Sequence, residues 1–203
     1  MKRGRFITLE GVDGAGKSTH QKFIADFAAT RAPHVVQTRE PGGTDLAERL
    51  RESILKTTMT PEVETLLIFA ARADHVAKVI RPALDTGQWV VCDRFTDATY
   101  AYQGAGKGVS LELIGRLGDA VHPGLRPDRT LVFDCPYEVA RERLGRTGRQ
   151  PDRFERESHE FFDRVRQSYL GLARADAERI RIIDATGGVG DIKKRIEEEL
   201  ARL

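Results

Sequence analysis

Only two cysteines, one tryptophan and a formal net charge of +2 occur in the 203 residues of this chain. Two cysteines cannot build a disulfide framework, and Cys92 and Cys135 both lie in apolar runs, which predicts buried free thiols in a reducing compartment. No metal role is expected of only two such thiols. Histidine is sparse: His20, His34, His75, His122 and His159 are scattered without metal-ligand spacing, so structural or solvent-facing roles are expected of them. With 33 basic residues against 31 acidic ones there is no global basic field of the kind that recruits nucleic acid. Long apolar runs are missing too. The basic stretch Met1-Lys2-Arg3-Gly4-Arg5 leads into Phe6-Ile7-Thr8-Leu9, which Glu10 and Asp13 interrupt at once, so neither a leader peptide nor a membrane span is expected there. Internal repeats and low-complexity linkers are absent from the sequence.

What remains is a regular alternation. Short apolar segments at Phe6–Leu9, His34–Thr38, Trp89–Cys92, Thr130–Phe133 and Ile180–Ile183 alternate with helical patterns, the signature of a mostly parallel α/β sheet covered on both faces. Phe23, Ile24, Phe27 and Ala28 recur at helical spacing, as do Ile192, Ile196, Leu200 and Leu203, and these stripes predict core. A long apolar-faced helix is expected over Glu62–Ile80. One α/β domain spanning residues 1–203 is expected from this length. The irregular stretch Gly145–Asp152, rich in glycine and arginine, interrupts two helices and reads as a lid over roughly residues 143–154.

Directly behind the first strand, Gly11-Val12-Asp13-Gly14-Ala15-Gly16-Lys17-Ser18 fits G-x-x-x-x-G-K-[ST] in the required strand-turn-helix context. Such a P-loop aims backbone N–H groups at phosphate oxygens, Lys17 adds a point charge, and the Ser18 hydroxyl can ligate Mg²⁺. Parallel sheets place ligands at the carboxyl ends of their strands. There the chain carries Thr38-Arg39-Glu40-Pro41-Gly42-Gly43-Thr44 and Asp93-Arg94-Phe95, followed by Tyr100, Tyr102 and Gln103. Arg39 and Arg94 would offer planar forks to a second phosphate, with an ordinary salt bridge as the alternative for Arg94. Asp93 is either a helix cap or a carboxylate holding Mg²⁺ through water. Arg141, Arg143, Arg146, Arg149 and Arg153 form either a solvated face or a set of guanidiniums that close over a transferring phosphoryl group. A base-reading N-K-x-D stretch, expected of a switch GTPase, is missing. A P-loop, a second anion site and a lid together point to a kinase of a phosphorylated small molecule. An acceptor phosphate is already anionic near neutral pH, so no general base is required.

Taken in order, Gly-Val-Asp-Gly-Ala-Gly-Lys-Ser-Thr at 11–19, Thr-Arg-Glu-Pro-Gly-Gly-Thr at 38–44, Asp-Arg-Phe at 93–95, Ala-Tyr-Gln-Gly at 101–104 and Asp-Arg-Phe-Glu at 152–155 resemble bacterial thymidylate kinase over nearly the whole chain. The resemblance implies a P-loop NTPase fold with a five-stranded parallel sheet. It further implies transfer of the ATP γ-phosphoryl group to dTMP, yielding dTDP and ADP with Mg²⁺, in a cytoplasmic homodimer without nucleic-acid or membrane partners. On the same basis Gly11, Val12, Asp13, Gly14, Ala15, Gly16, Lys17, Ser18 and Thr19 would bind ATP, with Ser18 and Asp93 at the metal. Asp13 would accept a hydrogen bond from the 3′-hydroxyl of dTMP, and Arg39 and Arg94 would hold its phosphate with Arg51 nearby. Arg72 would donate to thymine O4, Thr99 and Gln103 would address the rest of the base edge, and Tyr102 would crowd the 2′ position. Lys17, Arg94, Arg149 and Arg153 would be catalytic. Two positions depart from the family pattern. The aromatic ring usually found four residues before the base-reading arginine is replaced by Ile68, and Phe69 is expected to face the base instead. Gly14 stands where some members carry a basic residue, which points to a catalytic arginine from the lid. A kinase of another nucleoside monophosphate or of a deoxynucleoside is the competing reading; a nucleotide-binding switch with little turnover is a third.

Overall fold

Strand register explains the layering. In the computed structural model, which describes residues 3–146, 148 and 150–203, five strands form one parallel sheet in the order β2-β3-β1-β4-β5. They are β1 (Phe6–Glu10), β2 (Val35–Arg39), β3 (Trp89–Asp93), β4 (Arg129–Asp134) and β5 (Ile180–Asp184). Alternate residues of a strand face opposite sides. Ile7 and Leu9 of β1, Val91 of β3 and Leu131 and Phe133 of β4 thus meet one helical layer. Phe6, Val90 and Cys92 meet the other. Both faces are covered, so the strands read as near-continuous apolar runs.

The first layer is built from α1 (Lys17–Ala29), α8 (His159–Ala175) and α9 (Val189–Ala201), whose Ile24, Ala28, Val165, Ile196 and Leu200 join that core. Burying each such Leu, Ile or Val contributes about 1.5–3 kcal/mol. Helix α2 (Asp45–Lys56) starts where Thr44 Oγ1 accepts from the Ala47 N–H at 3.2 Å. Helix α3 (Pro61–His75) starts at a Thr60 cap with proline in its first turn. The continuous helix expected over Glu62–Ile80 instead passes into a π-helical turn, Val76–Ile80, before α4 (Arg81–Asp85). A second π turn, Tyr100–Gly106, follows the short α5 (Thr96–Thr99) and precedes α6 (Leu111–Val121). Each expected strand runs one residue further and ends on a charged side chain: Glu10, Arg39, Asp93, Asp134 or Asp184. Between α7 (Tyr137–Gly145) and α8 lies the irregular arginine-rich stretch. Thr147 and Arg149, the latter expected to be catalytic, fall outside the described residues. Cys92 and Cys135 are buried free thiols. Among the described residues no helix is long and apolar enough to cross a membrane.

Candidate active site

The glycine-rich loop between β1 and α1 needs glycine at two places for steric reasons. Gly11 (φ 125°) and Gly14 (φ 84°) adopt the left-handed conformation. An added Cβ would meet Phe133 O at 2.4 Å and Ala140 O at 2.3 Å respectively. Gly16 caps α1 with no side-chain bond, so the first-turn N–H groups are left for a ligand. Lys17 Nζ donates to the Gly11 and Val12 carbonyls at 3.0 Å each. Burial, and then the Arg94 charge, lower its pKa. Ser18 and Thr19 sit exposed at the mouth of the loop. Asp93 ends β3, and its buried Oδ1 has no hydrogen-bond partner among the described residues.

Arg94 follows at φ 70°, a conformation that costs a non-glycine residue roughly 1–3 kcal/mol. Its surroundings hold it there. The backbone N–H donates to Leu9 O at 2.9 Å. Nη2 donates to Asp13 Oδ1 at 2.8 Å and Tyr102 OH at 3.0 Å, and Nη1 donates to Tyr169 OH at 3.2 Å. The guanidinium carbon lies 4.6 Å from the Tyr102 ring centroid. Tyr102 OH in turn donates to Asp13 Oδ2 at 3.2 Å. Burial alone would raise the Asp13 pKa, but the Arg94 and Lys17 charges outweigh it and hold the carboxyl down at about 2. Behind this group Tyr169 OH donates to Glu10 Oε2 at 2.8 Å, and the Phe95 N–H donates to Glu10 Oε1 at 2.7 Å. Burial and the Asp97 charge push Glu10 up to about 8.

Asp13, Arg94 and Tyr102 open on a cleft between α2, α3 and the carboxyl ends of the strands. Asp13, Arg51, Arg72, Arg94, Thr99, Tyr102 and Gln103 all line it, so most of the expected acceptor residues come together. Arg51 donates to Pro41 O at 2.9 Å. Its pKa is lowered by burial and then by the neighbouring Arg39 and Arg94, which marks a concentration of positive charge awaiting an anion. Arg39 itself stays at the rim, exposed and paired with Glu48 Oε2 at 2.9 Å.

At the far end Arg72, only 1% exposed, donates through Nε to Glu40 Oε2 at 2.5 Å and through Nη2 to Thr99 Oγ1 at 3.1 Å. Nη1 is buried without a partner among the described residues. Glu40 also accepts from His75 Nδ1 at 2.9 Å, while His75 Nε2 lies 2.7 Å from Thr38 Oγ1. Despite its burial the Glu40 pKa is lowered, because the Arg72 and His75 interactions prevail.

Two expectations are corrected. Ile68, not Phe69, lines the cleft. Phe69 turns inward against Val109 and Ile114, and lies 4.8 Å from the Arg72 guanidinium carbon. The i,i+4 partner of Arg72 therefore takes the cavity, and the i,i+3 partner packs beneath. Arg153 does not point at the P-loop: it donates to Ile54 O and to the buried Glu64 carboxylate. Among the described residues Arg143 is the lid-region arginine at the loop, donating to Ala15 O at 3.3 Å and Ala185 O at 2.8 Å. Glu10, Glu40, Glu64 and Tyr169 were not singled out from sequence. A carboxylate closing or following an apolar strand is the signal available for the first two; Glu64 and Tyr169 carry none.

The family model described as thymidylate kinase matches residues 9–196. Thymidylate kinase of Bordetella petrii is 54% identical over 99% of this chain and 97% of its own length. That of Cupriavidus necator is 53% identical over 99% of this chain and its full length. A crystal structure of thymidylate kinase from Ehrlichia chaffeensis superposes with a TM-score of 0.81 at 31% identity, covering 98% of this chain and 99% of that one.

Proposed function

The chain belongs to the thymidylate kinase family, an ATP-dependent kinase on the P-loop NTPase fold, and from that premise we propose how its residues divide the transfer of the γ-phosphoryl group to dTMP. The P-loop residues Gly11 to Thr19 cradle the ATP phosphates, with Lys17 stabilising the group in flight. Arg94 and Arg51 hold the dTMP phosphate, and Arg39 adds charge from the rim. Asp13 accepts from the 3′-hydroxyl, and Tyr102 crowds the 2′ position against ribose. Arg72 donates to thymine O4 with Thr99 and Gln103 beside it, while Ile68 takes the place of a stacking ring. The observation that carries this reading is the direct bond between Arg94, in the cleft, and Asp13, in the P-loop. It joins two anion sites within one hydrogen bond, which is what in-line transfer between two phosphates demands.

The residues fit a Mg²⁺ ion. Ser18 at the loop mouth and the orphan Oδ1 of Asp93 would hold it. The described residues contain no cluster of three or more acidic, histidine or cysteine ligands, which suits an ion bound mainly through substrate phosphates and water. When bound, it would neutralise charge on the donor phosphates. Among the described residues Arg143 is the lid arginine that bonds the loop, and residues 143–154 act as the lid. Exposed Val63 and Leu66 on α3 and Leu111 on α6 support a homodimer through that face. The two buried thiols suit a cytoplasmic setting.

Replacing Lys17 with alanine tests the division of labour. Turnover is expected to fall at least a hundredfold while dTMP binding, followed by calorimetry, persists. Unchanged turnover refutes the cradle role.

A further inference from the structure

Glu64 is a carboxylate in an unlikely place. It sits on α3 with its side chain fully buried, behind the cleft wall and outside the set of residues assigned to substrate above. Lys107 Nζ donates to Oε2 at 2.9 Å, and Arg153 Nη2 donates to the same oxygen. Two cations converge on one oxygen, and a carboxylate has acceptors and no donor. The other oxygen, Oε1, accepts from Gln103 Nε2 at 2.7 Å. An amide can ordinarily be turned over, exchanging its oxygen and nitrogen at little cost. Here it cannot, because a flipped Gln103 would set its carbonyl oxygen against a buried carboxylate.

We propose that Glu64 is a positioning residue for base selection: by holding the Gln103 amide nitrogen, it commits the amide carbonyl oxygen to the cleft as an acceptor. This rests on the reading of Gln103 as a base contact. The cleft wall then carries the Arg72 guanidinium, a donor whose Nη1 is without a partner among the described residues, and the Gln103 acceptor. That order complements a pyrimidine with a C4 carbonyl and an N3–H. A pyrimidine with a C4 amino group and a bare N3 meets donor against donor and acceptor against acceptor. Sites that leave buried polar groups unpaired reject the wrong ligand strongly.

The test compares kcat/KM for dTMP and dCMP in the wild type, Glu64→Gln, Gln103→Ala and the double variant. Glutamine at position 64 can donate as well as accept, so the Gln103 amide is free to turn. The dTMP:dCMP ratio is expected to fall at least tenfold in Glu64→Gln, mostly through KM, with kcat for dTMP within about threefold. Gln103→Ala should lower the ratio as well, and Glu64→Gln should then add nothing to it. If Gln103→Ala collapses the ratio while a folded Glu64→Gln leaves it unchanged, the positioning role is wrong and the base site stands. If Gln103→Ala has no effect on the ratio, the base-site reading itself fails, and the proposal with it. Should Glu64→Gln not fold, Gln103→Asn keeps the amide but withdraws it from Glu64, leaving both cations paired. An unchanged ratio there overturns the proposal equally.

Discussion

Neutralising Glu40 should cost both stability and substrate binding. Glu40 is 3% exposed and Arg72 is 1% exposed, so their ion pair is sealed from water. Glu40→Gln keeps the shape but removes the charge, and its single carbonyl oxygen cannot serve both Arg72 Nε and His75 Nδ1. Removing one partner of a buried pair costs about 3–5 kcal/mol. Thr99 and the Phe69 and Phe95 rings still support the guanidinium, which places the loss near the lower figure. At about 2–4 °C per kcal/mol for a chain of this size, a loss of about 3 kcal/mol lowers Tm by about 6–12 °C. Urea unfolding and initial-rate kinetics are the assays. KM for dTMP should rise about tenfold, more than kcat falls, because Arg72 loses its anchor. The sign with pH follows from the lowered pKa: the pair's contribution is fully present above the ordinary carboxylate value of 4.5 and is lost as pH falls from there through the lowered folded-state value. The variant should lack that acid sensitivity. A Glu40→Gln protein as stable as wild type to within about 0.5 kcal/mol, with KM unchanged, would show that the buried pair anchors neither the fold nor Arg72.

Glu10 has the opposite sign. Its folded pKa of about 8 exceeds the ordinary 4.5, so its contribution is full below 4.5 and drains away as pH rises through 8. Wild type should be less stable at pH 9 than at pH 6 in urea titrations, and Glu10→Gln, which mimics the neutral acid, should flatten that slope; an equal slope in both would discard the assignment. Arg143→Ala removes the donors to Ala15 O and Ala185 O. Turnover should drop about tenfold and KM for ATP should rise, with KM for dTMP unmoved; a change confined to dTMP would place Arg143 elsewhere.

Much of this was legible in the chain because the signals are local. The β1 strand, three glycines and Lys17-Ser18 lie within thirteen residues, Phe6 to Ser18, and apolar runs marked all five strands to within one residue of their carboxyl ends. Those ends are where reading failed, since a charge closes each strand after the apolar pattern has stopped. The assignment of Phe69 failed for a different reason. Residues three and four before Arg72 both lie near it, and only packing against Val109 and Ile114, some forty residues on, decides which faces the cleft. Arg153 illustrates the same limit: its partner Glu64 is 89 residues away and hidden in an ordinary helical pattern. The π turn at Tyr100–Gly106, which brings Tyr102 and Gln103 to the cleft, has no periodic signature at this length.

If Arg94 and its neighbours hold an acceptor phosphate opposite the P-loop, the acceptor must bring one. ADP release from ATP and Mg²⁺ should be followed with dTMP, with thymidine, and with no acceptor. Release should be rapid only with dTMP, and thymidine should be indistinguishable from no acceptor, because the nucleoside brings no phosphate for Arg94 to hold. Thymidine turning over as well as dTMP would contradict this role of Arg94.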